Sequence, residues 1–170
     1  MIYFDYAATT PILPEVKNVF IDTLEQFGNP SSVHLYGRKS RVIVEEARAI
    51  IAELLSCEQN NIIFTSSATE AINLGITSIC RSRNIKNIIF SPIEHAAMLR
   101  SIAFCSQSYN ISTLELKINN LGNIDLDYLE KLLQTNANTL VCIMHANNEI
   151  GNLIPIKEIG KLCKTYNALF

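Results

Sequence analysis

Charge is scarce in this sequence. Only 18% of its 170 residues are Asp, Glu, Lys or Arg, and the formal net charge is −2. A chain with no basic excess lacks the electrostatic footprint of a nucleic-acid binder. No apolar run reaches the ~18 residues a membrane-spanning helix needs. The start, Met1-Ile2-Tyr3-Phe4-Asp5, carries no positive region ahead of a long apolar stretch, so no signal peptide is expected. No Cys-x-x-Cys pair occurs among Cys57, Cys80, Cys105, Cys142 and Cys163, an odd and widely spaced set. That argues against a disulfide framework or a zinc site and favours small buried hydrophobes. His34, His95 and His145 likewise lack the spacing of a metal site on one element. Repeats, low-complexity segments and linkers are also missing. The expectation is a cytoplasmic, soluble protein with no nucleic-acid or membrane partner.

What the chain does have is apolar content. Hydrophobic residues make up 48% of it, enough for a real core and too many for a disordered chain. Its pattern changes along the sequence. Pro11 and Pro14 introduce a helix over Glu15 to Phe27, and Gly28-Asn29-Pro30-Ser31-Ser32 breaks it in an exposed loop. A long amphipathic helix follows from Leu35 to Leu55, with Ile43, Ala47, Ile50, Ile51 and Leu54 on one face. Residues 1–60 thus form a helical lead-in. From 61 to 170 the pattern is a regular alternation. Strand Ile62–Phe64 precedes helix Ala68–Arg81, strand Asn87–Phe90 precedes helix His95–Ser106, and strand Ile111–Leu116 precedes helix Leu126–Gln134. Strand Thr139–Met144 and helix Ile156–Tyr166 complete the series. Strands alternating with helices predict an α/β fold, a mainly parallel sheet with helices on both faces. Right-handed crossovers then bring the loops after the strands to one sheet edge, where such folds bind ligands.

Those loops are Thr65–Glu70, Ser91–His95 and His145–Gly151, and all are rich in functional side chains. Thr65-Ser66-Ser67-Ala68-Thr69-Glu70 lies between a strand and a helix start. Its backbone N–H groups, hydroxyls and positive dipole end suit an anion, most often phosphate. Ser/Thr followed by Glu three residues on is equally a capping box. His95 at a helix start is either a cap or a ring that stacks on a flat ligand and exchanges protons near neutral pH. In His145-Ala146-Asn147-Asn148-Glu149-Ile150-Gly151, two adjacent amides and a carboxylate can hydrogen-bond a ligand, or simply form a turn. His145, reading as the last strand residue, is expected to be structural.

Taken together, these stretches resemble a known family. Asp5-Tyr6-Ala7-Ala8-Thr9-Thr10-Pro11, Gly28-Asn29-Pro30-Ser31-Ser32, Thr65-Ser66-Ser67-Ala68-Thr69-Glu70, Glu94-His95 and His145-Ala146-Asn147-Asn148-Glu149-Ile150-Gly151 occur in order and span essentially the whole chain. The series is similar to the N-terminal part of cysteine desulfurases of the NifS/IscS type, class V, fold-type I pyridoxal-phosphate enzymes. The resemblance implies the large-domain fold of those transferases and a reaction in which L-cysteine gives up sulfur to an enzyme cysteine as persulfide, leaving alanine. The sulfur then serves iron–sulfur cluster assembly or tRNA thiolation. It also implies residue roles. Ala68 and Thr69 would hold the cofactor phosphate, His95 would stack on the pyridine ring and assist proton transfer, and Asn148 would contact the ring's oxygen substituent. Ala7 and the Asn29 loop would lie near the substrate. Family members are homodimers.

Two departures from the family pattern stand out. Ser67 occupies a position where the family commonly has Gly; if φ must be positive there, a non-Gly residue costs on the order of 1–2 kcal/mol. The family's Asp-x-x-Gln motif, its Ser-His-Lys motif with the Schiff-base lysine and its persulfide cysteine find no match in this sequence. The expectation is an incomplete N-terminal segment, inactive alone, with a second chain carrying the C-terminal half as its partner. The rival expectations are a non-catalytic remnant or binding module, or half of another class V enzyme such as a selenocysteine lyase or aminotransferase. An incomplete domain should also expose apolar surface and a strand edge.

Overall fold

A computed structural model describes residues 2–170. The chain divides into two compact units, Met1–Phe64 and Thr65–Phe170.

The first unit is helical. Helix α1 (Pro14–Leu24) opens on proline at its first position, where the missing N–H costs nothing. None of its residues is buried. Helix α2 (Leu35–Leu54) is capped by His34, whose Nδ1 accepts from the Gly37 N–H at 3.3 Å. Of the face expected to be apolar and inward, Ile50 and Leu54 stay 60% and 79% exposed, and the buried positions of α2 are Gly37 and Ala52. Gly28 has φ +150°, and a Cβ there would meet the Tyr36 carbonyl oxygen at 2.5 Å, so the Gly28–Ser32 loop closes tightly on the start of α2. A single 3₁₀ turn, Gln59–Asn61, follows α2.

The expected strand Ile62–Phe64 is not formed. The segment has no ladder partner among the described residues; Ile62 has extended backbone (φ −92°, ψ 122°), while Ile63 and Phe64 are exposed. Its polar and aromatic groups are engaged elsewhere. The Arg48 guanidinium donates to the Ile62 carbonyl and lies 4.9 Å from the centre of the Phe64 ring. A β-branched run becomes a strand only when a neighbour supplies its hydrogen bonds.

The second unit is the predicted α/β fold. Its elements are α3 (Ala68–Ser82), β1 (Asn87–Phe90), α4 (Ala96–Tyr109), β2 (Ser112–Glu115), α5 (Leu126–Thr135), β3 (Thr139–Cys142) and α6 (Ile156–Thr165). The strands run parallel in the order β2-β1-β3, with Ile88 opposite Thr113 on one side and Leu140 on the other. Val141 N–H donates to the Leu169 carbonyl at 2.8 Å and Leu169 N–H to the Thr139 carbonyl at 2.9 Å, which gives β3 a partner on its second edge too.

Alternation along the strands fills two cores. Ile88, Leu140 and Cys142 pack with Ile76 and Cys80 of α3 and Ile102 and Cys105 of α4. Ile89 and Val141 point the other way, onto Leu129 and Leu133 of α5 and Ile159 and Cys163 of α6. Helices therefore cover both faces, and β3 is buried at every position. Strands β2 and β3, and the Leu169 pairing, are each entered through a left-handed residue at or just beyond a helix end. Asn110 (φ 52°) leads to β2, Asn138 (φ 53°) to β3, and Asn167 (φ 53°) to the Leu169 pairing. Asparagine tolerates that conformation better than other non-glycine residues. No helix among the described residues is long and apolar enough to cross a membrane.

Candidate functional site

Helices α3 and α4 run side by side in the same direction. Ser101 of α4 meets Asn73 of α3 at 3.0 Å, and both residues are sixth in their helices. At 1.5 Å rise per residue, each N-terminus lies about 7.5 Å along its axis from that contact. The start of α4 follows directly from β1, so both helix N-termini lie at the C-terminal edge of the sheet. The loop after β3 reaches the same edge. The loops after β1 and β3 share a cavity at this edge, and the start of α3 lies at the same end of the unit.

At the first turn of α3, Ser67 is the N-cap and accepts from the Glu70 N–H at 3.2 Å. Glu70 in turn accepts from the Ser66 N–H at 2.6 Å and the Ser66 hydroxyl at 2.7 Å. Those two bonds hold the Glu70 carboxyl below its usual range. The N-cap reading is therefore correct, while the reciprocal bond of the capping box reaches Ser66, one residue before the cap. Capping does not exhaust the donors, because the N–H groups of Ala68 and Thr69 take no acceptor among the described residues. Ser67 has φ −164°, ordinary extended backbone, so no penalty attaches to the missing glycine.

His95 is the N-cap of α4. Its Nδ1 accepts from the Ala97 N–H at 3.1 Å, which leaves Nε2 as the atom that carries or releases a proton. The ring is exposed and lines a cavity of about 330 Å³ together with Pro92, Glu94, Asn147, Asn148 and Glu149. The two adjacent asparagines have different tasks. Asn147 is buried and fully engaged: its Nδ2 donates to the Ile93 carbonyl at 2.8 Å, and its Oδ1 accepts from the Glu149 and Ile150 N–H groups at 2.8 and 2.9 Å. Asn148 is exposed and its side chain makes no hydrogen bond among the described residues, so it alone of the pair has a free carboxamide. His145 serves the backbone, its carbonyl accepting from the Ile154 N–H at 2.8 Å.

Glu94 went unassigned in the sequence. It is the one charged residue buried among those described, and its Oε1 accepts from the Met144 N–H at 2.7 Å. Burial raises its carboxyl above the ordinary range, against the opposing effect of that bond. Its sequence neighbour His95 was the only hint. Ala7 and Asn29 belong to the first unit. Ala7 lies in a turn closed by the Ala8 N–H on the Asp5 carbonyl at 3.1 Å, and Asn29 Oδ1 accepts from the Ser31 N–H at 2.9 Å.

Comparison with known proteins gives a consistent answer. Residues 2–170 match the aminotransferase class-V family. The chain is 41% identical over 172 residues to a cysteine desulfurase IscS of Dictyoglomus turgidum, covering 99% of this chain and 43% of that protein. The solved NifS-like protein of Rickettsia africae superposes with a TM-score of 0.86 at 37% identity, over 99% of this chain and 46% of the other. SspA, solved in complex with cysteine, superposes with a TM-score of 0.85 at 32% identity, over 98% and 48%. The chain spans less than half the length of these relatives. The match over residues 2–170 places the chain in the aminotransferase class-V family, and its relatives and superpositions give it the likeness of the IscS/NifS-type cysteine desulfurases.

Proposed function

We propose that this chain supplies the cofactor-facing part of a pyridoxal-phosphate-dependent cysteine desulfurase. The observation that carries the reading is the convergence of the Ala68 and Thr69 donors, His95 and Asn148 on one sheet edge. The residues fit the cofactor: unspent N–H groups at a helix start suit its phosphate, and an open cavity bearing a ring and a free carboxamide suits its substituted pyridine. Thr69 adds a hydroxyl to the N–H donors. His95 offers its ring face to the pyridine and its Nε2 to a proton in transit. Asn148 takes the oxygen substituent. When bound, the cofactor supplies an electron sink for a bond breaking at the substrate's carbon.

L-cysteine is the proposed substrate, supported by the likeness to SspA, and sulfur transfer for iron–sulfur cluster assembly or tRNA thiolation is the proposed use. The lysine that would hold the cofactor and the cysteine that would accept sulfur come, in this reading, from a second chain carrying the C-terminal half. The exposed Val16, Val19, Phe20 and Leu24 of α1 support such a partner, or a homodimer. In domain terms, a helical lead-in over 1–60 precedes the start of the α/β domain over 61–170. Five free thiols suit a reducing compartment such as the cytoplasm.

Equilibrium dialysis of the chain against pyridoxal phosphate tests the cofactor site. The native chain is expected to bind it, and Thr69→Ala, His95→Ala and Asn148→Ala each to bind more weakly. Equal retention by all of them, or none by the native chain, overturns the assignment. Co-expression with a chain bearing the Asp-x-x-Gln and Ser-His-Lys motifs, followed by assay of cysteine-dependent sulfide and alanine, separates the desulfurase from a non-catalytic binding module. Selenocysteine or an amino-group acceptor in place of cysteine separates it from a selenocysteine lyase or aminotransferase.

A further inference from the structure

We propose that Glu94 is a positioning residue of this site: with Asn147 it clasps the loop after β1 to the loop after β3, and so holds His95 and Asn148 at one cavity. The inference rests on the cofactor reading of that cavity and names what keeps its two free side chains together.

The geometry begins where the ladder ends. Phe90 and Cys142 are the last paired residues of β1 and β3. Beyond them the chain leaves β1 by turning at Ser91, while after β3 it runs on through Ile143 and Met144 outside the ladder. The Met144 N–H has therefore lost the strand carbonyl it would have met. Glu94 replaces it with a carboxylate oxygen at 2.7 Å. The side chain in effect prolongs β1 by one acceptor. A buried acid is costly unless its oxygens are used, and a similarly sized apolar side chain would avoid the cost. It would also leave the half-buried Met144 N–H without this partner.

A second bond joins the same two loops, from Asn147 Nδ2 to the Ile93 carbonyl at 2.8 Å. Asn147 also ties down the turn that carries Asn148, through the Glu149 and Ile150 N–H groups. The two crosslinks flank the side chains that face the cavity. Glu94 adjoins His95, and Asn147 adjoins Asn148. Neither clasp residue needs to touch a ligand for the arrangement to depend on both.

The test uses the full chain and pyridoxal phosphate as probe. Glu94→Gln keeps an oxygen for Met144, Glu94→Asp withdraws it by one methylene, and Glu94→Ala removes it. Amide exchange at Met144 and the imidazole ¹⁵N shifts of His95 are read by NMR without ligand, and pyridoxal phosphate affinity by dialysis. Glu94→Asp and Glu94→Ala are expected to speed Met144 exchange, shift the His95 resonances and weaken binding about tenfold, the size of one such bond. Glu94→Gln should restore all of them to within about twofold. The aspartate variant keeps the test open should the alanine variant fail to fold. Unchanged Met144 exchange in both, or no rescue by glutamine, overturns the clasp. Should the native chain bind no pyridoxal phosphate, the cofactor reading fails, while the Met144 and His95 signals still decide the clasp.

Discussion

The hydroxyl of Ser101 is shared between Asn73 Oδ1 at 3.0 Å and the Ala97 carbonyl at 2.8 Å. Ser101 is almost wholly buried, and this is the polar contact that sets α3 level with α4. Ser101→Ala should lower stability by about 1 kcal/mol, one net hydrogen bond. Urea denaturation measures that. Because Asn73→Ala removes the same bond, the double variant should fall short of the sum, which a double-mutant cycle would register.

Two carboxylates should give opposite responses to pH. For Glu70 the folded value is depressed, so its contribution is complete above the unfolded value near 4.5 and is lost as pH falls through the folded one. For Glu94 the folded value is raised, so its contribution is present below 4.5 and is lost as pH rises through the folded one. Glu94→Gln, relative to the native chain, should therefore gain stability as pH rises from 4.5 towards neutrality. Thermal melts across that range check the sign, and a flat difference would contradict it.

Thiol titration should find one fast cysteine. Cys57 is partly exposed, whereas Cys80, Cys105, Cys142 and Cys163 are buried. Burial pushes Cys80 and Cys142 up to about 12 and Cys163 to about 11, so little thiolate forms at neutral pH. Ellman's reagent is expected to modify Cys57 in the folded chain and the other cysteines only on unfolding.

Leu129 is fully buried in the core beneath α5. Leu129→Ala should cost about 2–5 kcal/mol through lost transfer energy and the cavity left behind. A shift in the urea midpoint of that size, with no effect of comparable scale from exposed Leu121→Ala, would confirm where the core lies.

Local chemistry decided what the sequence made legible. Asn87–Phe90 reads as a strand because a short apolar, β-branched run lies between polar neighbours, and the structure places it there. The same signature in Ile62–Phe64 misleads, since pairing depends on a neighbour that local sequence does not encode. At the site, His95 and the Ala68–Thr69 helix start were visible from their position after apolar runs. Turn propensity, being the same for both, did not say which of Asn147 and Asn148 faces outward; the resemblance alone named Asn148. Glu94 was hidden. Its task depends on Met144, 50 residues away.

The left-handed asparagines at Asn110, Asn138 and Asn167 bear on the order in which the molecule assembles. Each reversal from helix to strand is specified within a few residues of itself, so it can form before any strand has found its neighbour. Joining β1 to β2 and β3 brings together residues 25 and 52 positions apart, as for Asn87 with Ser112 and Thr139. Loop closure of that length is the slower event. Replacing one of these asparagines by glycine should leave the folding rate nearly intact, whereas a β-branched residue there would delay sheet docking. The timing of assembly is thus governed by the sheet, and the turns wait for it.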